Sequence, residues 1–180
     1  MTTTAPDRSL TRADWEKLPE HRCKTELLDG ELVEMQMPSM AHQDMSAGLF
    51  LALCAAAPAE MRVRYAPIDV HISDRTILEP DLLVARRELF LPRGFEEPPL
   101  LAVEILSSSI RSRDLIRKFS WFEQFGVQHV WFADPDEPSV AAWELVDGRY
   151  VEAGEAVGEE TLVLERPFRV EITPRRLLDD

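Results

Sequence analysis

Apolar residues recur at helical spacing in two long segments of the chain. From Met40 to Ala57 the positions Met45, Leu49, Ala52, Leu53 and Ala56 fall on one face, and Pro58 closes the run. From Arg111 to Phe125 the residues Leu115, Ile116, Phe119, Phe122 and Phe125 repeat in the same way, and Gly126 supplies a natural helix stop. A shorter helix is predicted from Arg12 to about Leu18, opened by the capping pair Thr11 and Asp14 and ended by Pro19.

Between and after these helices the pattern shifts to strands. Thr25 to Met37 places Asp29-Gly30 between two alternating runs, the signal of a two-residue hairpin turn, with Glu26 on its first strand. Met61 to Tyr65, Asp69 to Ile72 and Ile77 to Ala85 read as strands, with a turn at Asp74-Arg75. Leu100 to Leu106 is nearly all apolar, as a central strand buried on both faces would be. His129 to Ala133 follows the second long helix. Val140 to Val146, Tyr150 to Ala153, Thr161 to Leu164 and Phe168 to Ile172 then form an antiparallel region with a second hairpin at Asp147-Gly148. The order predicts an α/β fold: a mixed central sheet flanked by helices, with additional antiparallel C-terminal strands. At 180 residues, with no internal repeat and no long linker, a single domain spanning 1–180 is expected, its first nine residues frayed.

Composition narrows the environment. Cys23 and Cys54 form no CxxC pair, which points to free thiols and argues against a zinc site. Met1 to Ser9 lacks the order of a signal peptide, and the longest apolar run falls short of the ~20 residues a spanning helix needs. A cytoplasmic protein with no membrane partner is the expectation. The net charge of −13 opposes general nucleic-acid binding, because basic groups dominate affinity for phosphate. The acid is uneven, however: residues 134–165 hold ten Asp or Glu against Arg149, a local −9 that leaves −4 for the remainder. Basic residues gather at Arg62 and Arg64, at Arg86, Arg87 and Arg93, and from Arg111 to Lys118, so one face could receive a polyanion.

Candidate chemistry centres on two carboxylates in strand-like runs. Asp81 follows Pro80, and Glu104 interrupts the apolar run Leu101 to Leu106. A carboxylate inside a central strand is costly unless paired or bound to a cation, and magnesium takes one or two carboxylates plus waters and phosphate. The ordinary alternative has Asp81 capping a turn and Glu104 pairing with an arginine; residue types alone weigh the two equally. Lys118 lies on the following helix, where an i,i+4 pair with Asp114 would account for it. Yet the chain uses 17 Arg and only three Lys, Lys17, Lys24 and Lys118. A compact ammonium can orient water where a guanidinium cannot, so the choice of lysine points toward chemistry.

Taken together, Glu79-Pro80-Asp81, Ala102-Val103-Glu104-Ile105-Leu106-Ser107, Asp114 with Lys118, Gly126-Val127 and Trp131 with Asp134-Pro135 resemble the Uma-two family. That family is a restriction-endonuclease-like domain of the PD-(D/E)XK nuclease superfamily. The resemblance runs from about Glu26 to Pro135. It implies that Asp81 and Glu104 are metal ligands, for Mg2+ with Mn2+ as a substitute, and that Lys118 is the catalytic lysine moved from strand to helix, since Leu106 holds the usual strand place. Glu26 matches the family's upstream acidic residue and His42 a family histidine; a core or helix-end histidine is an equally good reading of the latter. Ser107 and Asp114 are candidate accessory residues, and Arg111, Arg113 and Arg117 candidate phosphate contacts, although solvated helix charges are the more ordinary reading. Departures fall at Ser107-Ser108-Ser109-Ile110, where the family has Ser-Pro-Ser-Thr, and at Phe122 and Val130, which replace tyrosines.

The expected function is metal-dependent hydrolysis of phosphodiester bonds in DNA by a homodimer. Two alternatives stand beside it: an inactive nuclease-fold module for self-association or partner binding, and a phosphodiesterase acting on RNA or a small molecule.

Overall fold

The structure is a computed structural model that describes residues 2–3, 9–18, 24–90, 94–107 and 112–178; for 2–3 and 112–114 only the backbone is considered. Its elements run β1 (Thr2–Thr3), α1 (Arg12–Trp15), β2 (Thr25–Leu28), β3 (Glu31–Glu34), α2 (Met40–Ala56), β4 (Met61–Tyr65), β5 (Val70–Ser73), β6 (Thr76–Leu78), β7 (Leu82–Arg86), β8 (Leu101–Ile105), α3 (Ser112–Phe125), β9 (His129–Asp134), β10 (Ser139–Val146), β11 (Arg149–Val157), β12 (Leu162–Leu164) and β13 (Val170–Ile172). The frayed start expected for residues 1–9 holds two residues that pair with β3; residues 1 and 4–8 lie outside the described set.

A six-stranded mixed sheet, ordered β11-β10-β9-β8-β7-β4, forms the centre. Its one parallel contact is β8 with β9, joined through α3, as a strand-helix-strand crossover requires. The pleat sends alternate side chains to opposite faces. Leu101, Val103 and Ile105 of β8 point into a core closed by α2, through Met45, Leu49 and Leu53, and by the β12-β13 hairpin. Ala102 points the other way, into a second core with Phe122 of α3, Leu28 and Val33 of the β2-β3 hairpin, and Val130 and Phe132 of β9. Glu104 shares the parity of Ala102, so the strand itself delivers it to the α3 side.

A five-stranded sheet, ordered β1-β3-β2-β6-β5, lies against that second face. Its central turn is built by Asp29 and Gly30 at φ 54° and 84°, both left-handed, the conformation of a two-residue turn that matches strand twist. Asp147 and Gly148 repeat the device at φ 49° and 77° between β10 and β11.

One strand assignment is corrected. The run Ile77 to Ala85 is two strands in different sheets, β6 in the five-stranded one and β7 in the six-stranded one, and residues 79–81 form the passage between them. Pro80, which has no N–H to give a ladder, explains the break. Charge also separates across the central sheet: the acidic stretch 134–165 supplies β10, β11 and β12, while Arg62 and Arg64 lie on β4 at the opposite edge. Among the described residues no helix is long and apolar enough to cross a membrane.

Candidate active site

The passage between the sheets is where charged side chains meet. In the β7-β8 ladder Leu82 faces Val103, so one step further along the antiparallel register sets Asp81 opposite Glu104, on the same face of the sheet. Asp81 Oδ2 accepts the backbone N–H of Ile105 at 2.7 Å, which pins the carboxylate to β8. From the other sheet, Glu26 on β2 accepts the backbone N–H of Glu79 at 2.9 Å through Oε1. Residues 79–81 are thereby fastened at one end to each sheet.

Lys118 enters from α3. With Leu115, Phe119 and Phe122 it makes up an i, i+3, i+4, i+7 stripe that packs on the sheet, so the helix aims the lysine inward with its apolar neighbours. The ammonium lies 2.8 Å from Glu26 Oε1 and 3.1 and 3.0 Å from the two Glu104 oxygens. An ammonium has three donors, and three acceptors surround this one. Glu26, Glu104 and Lys118 are 0, 1 and 2 % exposed, so the group is sealed from bulk water.

A second lysine, Lys24, completes the cluster. It continues the extended hairpin strand, its carbonyl accepting the N–H of Met35, and two-residue alternation puts it on the face of Glu26. Its ammonium lies 2.8 Å from Asp81 Oδ1. His42, in the first turn of α2, brings Nε2 to 3.5 Å from Asp81 Oδ2. Ser39 caps that turn by accepting the N–H of His42, which fixes where the histidine starts.

These contacts set the charge states. Burial opposes ionisation of Asp81, but the charge of Lys24 and the hydrogen bond and charge of His42 outweigh it and hold the carboxyl well below the usual range. Glu104 is pushed up to about 7, by burial first, with Lys118 and Lys24 pulling the other way. Glu79 rises to about 8, again through burial, helped by the neighbouring charge of Asp69. Burial would release the proton of either lysine, yet the surrounding carboxylates dominate and raise both: Asp81, Glu104 and Glu26 around Lys24, and Glu104 and Glu26 around Lys118. Both lysines are therefore fixed as cations and act as donors, not as bases.

The chain thus gathers Glu26, His42, Asp81, Glu104 and Lys118 at one place. Ser107 lies just beyond β8, half-buried. Arg117 is directed elsewhere: it pairs with Asp29 Oδ2 at 2.7 Å in the hairpin turn and stacks over the Trp121 ring at 4.9 Å. Arg111 and the side chains of Arg113 and Asp114 lie outside the described residues. The ordinary reading of Lys118 as a helix-surface charge gives way to its buried contacts with Glu26 and Glu104. Lys24 had no role in the sequence reading. Its signal was present in the scarcity of lysine and in its place two residues before Glu26.

Two packed sheets with a buried carboxylate-lysine cluster at their junction make up a mixed α/β fold. A family model described as "Putative restriction endonuclease", Uma2, matches residues 4–177, and the chain belongs to that family. Among solved structures it is similar to one titled as a putative nuclease belonging to DUF820 from Anabaena variabilis ATCC 29413, at TM-score 0.75 and 18% identity over 94% of this chain and 97% of that one. Comparison with curated proteins returns no match.

Proposed function

We propose that the chain is a metal-dependent endonuclease that hydrolyses phosphodiester bonds in DNA, with Asp81 and Glu104 as ligands of Mg2+, or Mn2+ in its place. The observation that carries this reading is the convergence of three carboxyl groups, Glu26, Asp81 and Glu104, with two ammoniums, Lys24 and Lys118, at the junction of the sheets. Within it Glu26 Oε2 is buried without a hydrogen-bond partner among the described residues. A buried polar atom left unpaired carries a desolvation cost of roughly 1–3 kcal/mol, which a cation or its water would relieve.

The donor set fits such an ion. Among the described residues no three His, Cys, Asp or Glu converge as a complete cage. Magnesium does not require one, because it binds through one or two carboxylates and keeps several waters. When bound, the ion would polarise a phosphoryl oxygen and lower the pKa of a water.

The protein's own groups prepare that chemistry. The Ile105 N–H holds Asp81 in a fixed orientation, and Lys118 does the same for Glu104 and Glu26 while keeping a permanent positive charge beside the reacting centre. Glu26 Oε2, with no donor of its own, would take a further ion or water contact. His42, against Asp81, would steady the carboxylate or a neighbouring water. Cleavage of both strands of a duplex needs two such sites, so the reading includes a two-fold homodimer.

Mn2+ titration by calorimetry, followed by assays on plasmid, single-stranded DNA and RNA, tests the proposal. Micromolar Mn2+ binding with cleavage of DNA that stops in chelator is the expected result. No metal binding overturns it, and cleavage confined to RNA moves the substrate but keeps the site. Light scattering at micromolar concentration checks the dimer.

A further inference from the structure

The two lysines of the cluster differ in a way that assigns them different work. All three donors of Lys118 are matched by acceptors, and its side chain is 2 % exposed. Lys24 has one acceptor among the described residues, Asp81 Oδ1, and its side chain is 20 % exposed. Toward the described residues it therefore retains donors, and it reaches solvent while standing amid the charges of Asp81, Glu104 and Glu26. This is the position a divalent cation held by Asp81 and Glu104 would contest, since two positive charges beside one carboxylate oxygen repel each other.

We infer that Lys24 is a displaceable counter-ion: it neutralises Asp81 while no metal is present, yields Oδ1 to the metal, and then donates to the phosphate of the substrate. The inference rests on the metal-dependent reading above. A lysine suits the task because its compact ammonium rides on a flexible four-carbon stem and can travel a few ångströms with the backbone held. The backbone is held here, by the Met35 N–H to the Lys24 carbonyl and by the β2-β3 ladder that follows. Asp81 does not need Lys24 to keep its place, because the Ile105 N–H secures Oδ2 independently. Lys118 cannot exchange partners so cheaply, as release would strand both Glu26 and Glu104.

The test compares wild type with Lys24→Met, which keeps the stem and removes the charge, in calorimetric titrations with Mn2+ and then with inorganic phosphate at saturating Mn2+. Metal should bind Lys24→Met about tenfold more tightly, since no resident cation must be expelled, and phosphate about tenfold more weakly, since one charge-assisted contact is lost. Lys24→Gln, able to donate to Asp81 without charge, carries the same expectation should Lys24→Met not fold. Unchanged or weaker Mn2+ binding in a folded variant overturns the counter-ion role. Tighter metal with unchanged phosphate affinity overturns the transfer to substrate. Wild type that binds no Mn2+, with variants that bind none either, fails the metal reading itself, so the two failures are told apart.

Discussion

Lys118 and Glu26 are 92 residues apart in sequence and 2.8 Å apart in space, an ion pair fully enclosed between the two sheets. Breaking such a pair from one side leaves a charge with no water to turn to. Lys118→Met is expected to destabilise the protein by about 3–5 kcal/mol, whereas Glu26→Gln with Lys118→Met should recover part of that loss. Urea denaturation of the two single variants and the double variant measures the coupling. Additive losses would show that the pair contributes nothing beyond its separate members.

Replacing Lys118 by Arg keeps the charge and changes the shape. The planar guanidinium cannot meet Glu26 Oε1 and both Glu104 oxygens as an ammonium does, and the site is packed, with Lys118 only 2 % exposed. Turnover should fall about 100-fold, because displacement of a reacting group by about 1 Å has that effect. Lys17, exposed on the segment after α1, provides Lys17→Arg as a control with unchanged rate. Single-turnover hydrolysis by the two variants is the measurement, and equal rates would remove Lys118 from the mechanism.

Stability in chelator should depend on pH in an unusual direction. Glu79 and Glu104 hold their protons to about 8 and about 7 in the folded chain, against 4.5 when unfolded. Between those limits the native state binds more protons than the unfolded state, so stability falls as pH rises until each group has ionised. Asp81, held low, acts oppositely and withdraws its support only as pH drops below the ordinary aspartate range. Chemical denaturation from pH 5 to 8 should show a steady decline, and Glu79→Gln should flatten it, most clearly between pH 7 and 8. A flat wild-type profile would reject both raised values.

Glu104→Gln is expected to weaken Mn2+ binding at least tenfold, because it removes an anionic ligand and keeps the volume. Its stability in chelator should stay within about 1 kcal/mol of wild type, since Lys118 retains Glu26. Calorimetry and thermal unfolding on the same sample distinguish a lost ligand from a damaged core.

The legible part of the site was its strand-borne half. Glu104 stood out as a charge in an apolar strand, and strand parity carries it straight to α3. Both hairpin turns were readable because only a few residue types accept two successive positive φ values. The boundaries of the two long helices also followed the sequence, with Pro58 and Gly126 near their ends, whereas α1 stops at Trp15, short of the expected Leu18. The division of residues 77–85 between two sheets was not readable, because a short apolar run looks the same whether it stays in one sheet or crosses to another. Lys118 invited a local explanation through Asp114, although its place in the apolar stripe of Leu115, Phe119 and Phe122 signalled burial. Lys24 was hidden for a different reason: its partner Asp81 is 57 residues away, and neither the scarcity of lysine nor the spacing to Glu26 names that partner.

Residues 79–81 cross from one sheet to the other, with the Glu79 N–H tied to Glu26 and the Asp81 carboxylate tied to Ile105. Neither sheet by itself contains the cluster: Glu26 and Lys24 come from the hairpin, Asp81 and Glu104 from the centre. A nascent or partly opened chain in which the hairpin has not docked therefore holds its acidic groups scattered and solvated. The cluster is thus a product of the two sheets lying together, and whatever parts the sheets also parts its charges.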